Sequence, residues 1–237
     1  MTHFNWQNPY PTPRLPVFAR NIVSTSHPLA AQAGLRMLWQ GGNAVDAAIA
    51  AAACMTIVEP VSNGLGGDCF ALVWDGKELH GLNASGVAPA AWNIDYFRKK
   101  YGEQHGIAKQ PTRGLDTVTV PGVIAGWEAL HAKFGKLPFA DLMAPAIEIA
   151  ERGHAVAHIV ARKWAAAVPE LKDLPGYAQT FMPHGRAPMT SEMIRMPGHA
   201  RTLRLLAKEG PRAYYEGEIA QRIAAWSAEH GGAMTTD

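Results

Sequence analysis

The residue types from which chemistry is made gather in a few short stretches of this chain. Ser24, Ser26 and His27 bring two hydroxyls and an imidazole close together, the parts of a nucleophile and its base. Adjacency in sequence is not a triad, however, because the base must meet the hydroxyl in space and be oriented by a third group. With Pro28 next, the stretch reads as a helix N-terminus, where the N–H that proline lacks would have had no intrahelical partner. NGLGGD at 63–68 has the glycines that let a backbone turn sharply or approach a phosphate closely. It lacks the Gly-Lys-Ser/Thr end of a P-loop and precedes a strand rather than a helix, so a packing turn is expected and a nucleotide site is not. Asn83, Ser85 and Gly86 suit a turn after a strand. Ten histidines and two cysteines are present without HExxH or CxxC spacing, so no metal is expected. Cys54 and Cys69 read as buried free thiols, since two cysteines in so long a chain make no disulfide framework.

The elements that must carry these residues are legible in outline. Pro28 opens a helix with Ala31, Leu35 and Leu38 at helical spacing, and Gly41-Gly42 ends it where left-handed torsions are needed. Asn43 caps the next helix with Asp46 three residues on, a variant of the capping box. From Ala44 to Ile57 that aspartate is the only charge, and a helix apolar all round is buried on several sides. Phe70–Asp75 and Lys77–Leu82 form a hairpin around Asp75-Gly76, a two-residue turn signal. A short helix at 95–101 precedes a polar loop, 102–114. Pro121-Gly122 opens a helix through Phe134, and Gly135 stops it. Residues 137–153 form the next helix, with Pro145 marking a bend. A helix at 155–168, an irregular interval at 169–196 with four prolines, and helices at 198–209 and 217–229 complete a helix-rich chain of α/β or α+β class.

Composition narrows the function classes. The 237 residues are 48% hydrophobic, ample for a core, and carry a net charge of +2. No run of five like charges occurs, so neither nucleic acid nor a membrane surface is an expected partner. No segment approaches the roughly 20 apolar residues of a membrane span, and residues 1–21 lack the apolar stretch of a secretory signal. A cytoplasmic protein is expected.

The run QGGNAVDAAIAAA at 40–52, followed by EPVSNGLGGDCF at 59–70, resembles the N-terminal region of the γ-glutamyltranspeptidase family. VAPAAW at 87–92, the long segment 120–156, RTLRLLAKEGPRAYYEGEIAQRI at 201–223 and the final GGAMTTD match in the same order. The resemblance implies a precursor that cuts itself into a large and a small subunit, the small one beginning with the nucleophilic threonine. It implies the four-layer αββα sandwich of N-terminal nucleophile hydrolases, incomplete in this chain. On that reading 1–20 is an N-terminal extension and 21–237 the N-terminal portion of the large subunit. It further implies no catalytic residue in this chain and no cofactor. The partners would be a small subunit carrying the threonine beyond Asp237 and a small-molecule amide. One sheet would need strands from elsewhere, so exposed sheet edges and apolar faces are expected.

The chain departs from the family where the acyl group should be recognised. Typical members carry Arg-Glu just before the residues matching Val87-Ala88-Pro89, and that arginine pairs with the α-carboxylate of the glutamyl group. Here Ser85 stands in the arginine's place and Gly86 in the glutamate's, and Ser85 and Asn83 are the expected substrate-binding residues. A hydroxyl offers one neutral hydrogen bond where a guanidinium offers a charged fork. The exchange removes on the order of 1–3 kcal/mol of recognition, or about 10- to 100-fold in affinity. Either another base, with Arg113 the nearest loop candidate, replaces the arginine in a typical γ-glutamyltransferase, or the substrate is not γ-glutamyl. The second reading is favoured, since glutaryl-type acylases and an oxamate amidohydrolase are relatives of this kind. A non-catalytic scaffold keeping half the fold is the alternative from another class, and the sequence after Asp237 separates the two.

Overall fold

The computed structural model describes residues 18–236; most of the expected extension at 1–20, and the absence of a signal there, lie outside them. Helix α1, Pro28–Trp39, is capped by the His27 ring, whose Nδ1 accepts the Leu29 N–H at 3.2 Å. It buries Ala30, Ala33, Gly34 and Met37, while Ala31, Leu35 and Leu38 stay half-buried on its flank. Gly41, at φ +89, turns the chain into α2, Ala44–Val58, through the expected capping box of Asn43 and Asp46. Helix α2 is buried along most of its length and packs against α1.

Strands β1, Cys69–Trp74, and β2, Leu79–Ala84, pair antiparallel with Cys69 opposite Ala84 and Trp74 opposite Leu79. The second strand therefore begins and ends later than Lys77–Leu82. The cause is a four-residue loop in place of a two-residue turn: Asp75 Oδ1 accepts the N–H groups of Lys77 at 2.8 Å and Glu78 at 2.9 Å. This shift brings Asn83 into the strand.

Helix α3, Ile94–Tyr101, leads into 102–114, which is not the plain loop expected but holds a small hairpin, β3 (Glu103–Gln104) and β4 (Ile107–Ala108). His105 and Gly106 both take positive φ at its turn, the torsions of the mirror-image hairpin turns. Helix α4, Val123–Phe134, precedes α5, Phe139–Arg152, which runs unbroken through Pro145. Strand β5, His154–Ala155, precedes α6, His158–Leu171. That helix starts and ends later than 155–168 and includes Pro169. The interval expected to be irregular also holds α7, Tyr177–Phe181, and β6, Met193–Ile194, paired with β5. Helices α8, Pro197–Glu209, α9, Ala213–Glu216, and α10, Glu218–Glu229, follow.

The main core joins α1, α2, α4, α5 and α8, with Ile49, Ile57, Ile124, Trp127, Leu142 and Leu203 among its fully covered side chains. A smaller cluster of Val156, Val160, Ala161, Trp164 and Ile194 sits under α6. Among the described residues the sheets are all two-stranded. The chain is thus mixed helix and sheet, with the β1–β2 hairpin covered on one face only. Gly126 of α4 packs so tightly there that an added Cβ would lie 2.7 Å from Cys69 Cβ. On the opposite face Phe70, Leu72, Trp74 and Leu79 are between 62% and 76% exposed, a contiguous apolar face of the kind that marks a contact surface. No helix among the described residues is long and apolar enough to cross a membrane.

Candidate functional site

Three segments far apart in sequence meet at the end of β2. The Asn83 side chain accepts the Ser85 N–H through Oδ1 at 3.0 Å, a side chain mimicking a backbone turn. Thr119 Oγ1 donates to the Ser85 carbonyl at 3.3 Å, and the Val120 N–H donates to the Val87 carbonyl at 2.9 Å. Gly86 has φ +81, and a Cβ there would fall 1.8 Å from the Val120 oxygen. Gly122 answers from the other side, where a Cβ would fall 2.1 Å from the Ala84 oxygen. The two backbones thus touch at positions where only glycine fits.

The glycine-rich loop 63–68 completes the assembly. The Gly67 carbonyl accepts the N–H groups of Gly122 and Val123, both at 3.0 Å, which satisfies orphan donors at the start of α4. The buried Tyr214 hydroxyl donates to the Leu65 carbonyl at 2.8 Å, and the Tyr215 hydroxyl donates to Pro121 at 2.8 Å while accepting the Ala125 N–H. Gly64, Gly66 and Gly67 all have ordinary φ, so this loop is a packing and capping device, consistent with the expected turn role.

Ser85 is half-buried, and its hydroxyl makes no hydrogen bond among the described residues. Arg113, the candidate replacement base, is turned to Glu170 of α6, with Nε and Nη2 at 3.1 and 2.9 Å from one carboxylate oxygen. None of its contacts joins it to Ser85. Ser24 and Ser26 are exposed while His27 is buried as a helix cap, so that stretch assembles no nucleophile and base. Cys54 is buried and its thiol is pushed up to about 12 by burial; Cys69 is only half-buried, and both are free.

Other polar clusters escaped the sequence reading because their members are distant along the chain. Asp116 is buried, and it accepts hydrogen bonds from the Tyr96 and Tyr101 hydroxyls at 2.8 and 2.7 Å and pairs with Lys100 at 2.5 Å. Burial opposes the carboxylate's charge, but the bonds from Lys100 and the two tyrosines outweigh it and hold the acid below its ordinary value. Lys100 also donates to the Gly231 carbonyl, so the cluster ties the C-terminal segment to α3.

Asp75, Glu78 and His80 bring three ligand atoms within 4.8 Å of one another. The donor set does not suit a cation. His80 Nδ1 faces the Lys133 ammonium at 3.1 Å, so that nitrogen accepts and Nε2 carries the proton toward Asp75 Oδ2 at 2.8 Å. The Glu78 N–H, His80 and the Lys77 N–H hold the Asp75 carboxyl well below its usual range. The trio fastens the hairpin tip.

A family profile described as Gamma-glutamyltranspeptidase matches residues 30–237. The chain is 36% identical over 221 residues to the glutathione hydrolase-like YwrD proenzyme of Bacillus subtilis, covering 92% of this chain and 41% of that protein. It is 37% identical over 227 residues to the oxamate amidohydrolase proenzyme of Klebsiella pneumoniae, covering 92% and 42%. Among solved structures, cephalosporin acylase from Bacillus halodurans superposes with a TM-score of 0.91 at 44% identity, over 100% of this chain and 45% of that one. The chain spans less than half the length of these relatives.

Proposed function

The chain belongs to the gamma-glutamyltranspeptidase family, and we propose that it is the large-subunit portion of an amidohydrolase whose acyl group is not γ-glutamyl. The turn at Ser85 carries this reading. A single neutral hydroxyl, without a hydrogen-bond partner among the described residues, stands where the resemblance puts a guanidinium, and Arg113 is engaged by Glu170 instead. A neutral donor gives up the paired, charged contacts that single out an α-carboxylate. Similarity to proteins named oxamate amidohydrolase and cephalosporin acylase supports an acyl donor of another kind.

In this reading the nucleophile is a threonine of a small subunit beyond residue 237. Its hydroxyl adds to the amide carbonyl with its own α-amine taking the proton, the amine leaves, and water releases the acyl group from the ester. Residues 83–87 and 119–123 form one wall of the acyl site, with Ser85 a substrate-binding donor and Asn83 holding its turn. The exposed outer face of the β1–β2 hairpin supports a partner that completes the αββα sandwich. The names of the relatives as proenzymes support self-cleavage.

Two measurements on the complete gene product test the proposal. On incubation it is expected to cleave itself into two polypeptides, and an intact single band on a denaturing gel would count against it. It is expected to turn over small dicarboxylic monoamides well and γ-glutamyl-p-nitroanilide weakly. Robust turnover of the glutamyl compound would defeat the reading of Ser85.

A further inference from the structure

Glycines with positive φ recur along the chain, and most are conformational only. At Gly41, Gly76, Gly102 and Gly210 a Cβ would meet nothing within 4 Å. Gly86 is different: besides its φ of +81, a Cβ would lie 1.8 Å from the Val120 oxygen, 3.0 Å from the Val120 carbonyl carbon and 3.2 Å from the Gly122 nitrogen. A side chain here would have to push the turn off the 120–122 segment by more than about 1 Å to reach van der Waals distance. Ser85 rides on that turn, held through its N–H by Asn83 and through its carbonyl by Thr119. The place of its Cβ, from which the hydroxyl hangs, is therefore set by backbone contacts that glycine at 86, with Gly122 opposite, permits.

We propose that Gly86 is a positioning residue of the acyl site, fixing the Ser85 hydroxyl and with it a preference for acyl groups that have no α-amino-acid head and whose remote end accepts one hydrogen bond. Small monoamides of dicarboxylic acids are the substrate class. The inference rests on the placement of Ser85 in the acyl site proposed above. It adds that positions 85 and 86 are coupled. The acidic side chain that typical members carry at the place of Gly86 cannot be seated there without moving the wall. The preference is thus built into the backbone contact between 86 and 120 as much as into the serine.

Steady-state kinetics on the complete protein decide the matter, comparing glutaryl- and γ-glutamyl-p-nitroanilide. The unmodified enzyme is expected to favour the glutaryl compound. In Gly86→Ala its kcat/KM should fall about 100-fold, because a shift of about 1 Å in a positioning group costs that much, with most of the loss in KM. The γ-glutamyl rate, which draws less on Ser85, should change far less, so the selectivity ratio collapses. Gly76→Ala carries the same left-handed backbone cost in open space and should leave the ratio unchanged. Equal losses on both substrates in Gly86→Ala, or none, would overturn the proposal. Should that variant fail to fold, Thr119→Val loosens the same turn without adding a Cβ at 86. Loss of one hydrogen bond there should lower the ratio about 5-fold, and an unchanged ratio overturns the proposal. An unmodified enzyme that prefers the γ-glutamyl compound defeats the function proposed above before any variant is read, and this inference with it.

Discussion

His27 and His154 lie with ring centroids 6.4 Å apart, edge to face, and both are buried. The His27 Nδ1 caps α1, but neither nitrogen of His154 has a hydrogen-bond partner among the described residues. One buried N–H is therefore left without a protein partner among the described residues, an arrangement that costs about 1–3 kcal/mol. Burial, and then the neighbouring His27, bring His154 down to about 4. Burial also lowers His27, which Glu59 at the end of α2 partly offsets. Both rings are depressed relative to an unfolded histidine near 6.5, so the native state resists protonation that the unfolded chain accepts. Stability should be complete above about pH 6.5 and drain away as the pH falls toward 4, His154 contributing about 3 kcal/mol to the loss. Thermal melts from pH 8 to 4.5 should show this, and His154→Leu should flatten the acid limb. An acid limb of unchanged slope in that variant would assign the loss to other groups. Ser85→Arg tests the other residue on which most depends: γ-glutamyl ligands should bind about 10- to 100-fold tighter, and an unchanged titration would refute the role given to the serine.

Helix elbows, as well as packed helix interiors, join this molecule together. Asp46 is fully buried, and its carboxylate accepts the N–H of Asn43 at 2.9 Å and those of Lys136 and Leu137, so the α1–α2 elbow is bonded to the α4–α5 elbow. Asn43 adds a bond from its amide to the Phe134 carbonyl. Asp46→Ala removes a buried acceptor and leaves three part-buried N–H groups without it, which should cost about 1–3 kcal/mol in a denaturant titration. A loss below about 0.5 kcal/mol would show that water replaces the carboxylate. The cap itself was legible, because Asn-x-x-Asp before an apolar run is a local signal. Its second task was not, because 136–137 lies far along the chain. The same division explains the misplaced β2: Asp-Gly signals a turn, but the two N–H groups that Asp75 captures lengthen it to four residues. On α1 the periodicity marked a helix, yet which stripe it buries depends on α2, and Ala30, Ala33, Gly34 and Met37 face it rather than the leucines. Of the site, Ser85 was visible only through the resemblance, and the contact of Gly86 with Val120 left no sequence signal beyond the glycine.

The β1–β2 hairpin poses a question that the rest of the fold does not answer. Its inner side chains pack on α4, while Phe70, Leu72, Trp74 and Leu79 form an apolar outer face open to solvent. Covering a large apolar side chain is worth about 1.5–3 kcal/mol, so four exposed together are a standing drive to associate, and among the described residues β1 offers an unpaired edge beside them. In the proposed enzyme the remainder of the chain covers this face. Residues 1–237 expressed alone should then bind an apolar-surface dye and self-associate at micromolar concentration in sedimentation velocity. Leu72→Lys should reduce both signals without lowering the melting temperature, because Leu72 points away from the core. Co-expression with the segment that follows residue 237 should suppress dye binding as fully as the lysine does. A chain that stays monomeric and dye-silent by itself would mean that the outer face is tolerated in water, and the case for a partner sheet would lose its physical footing.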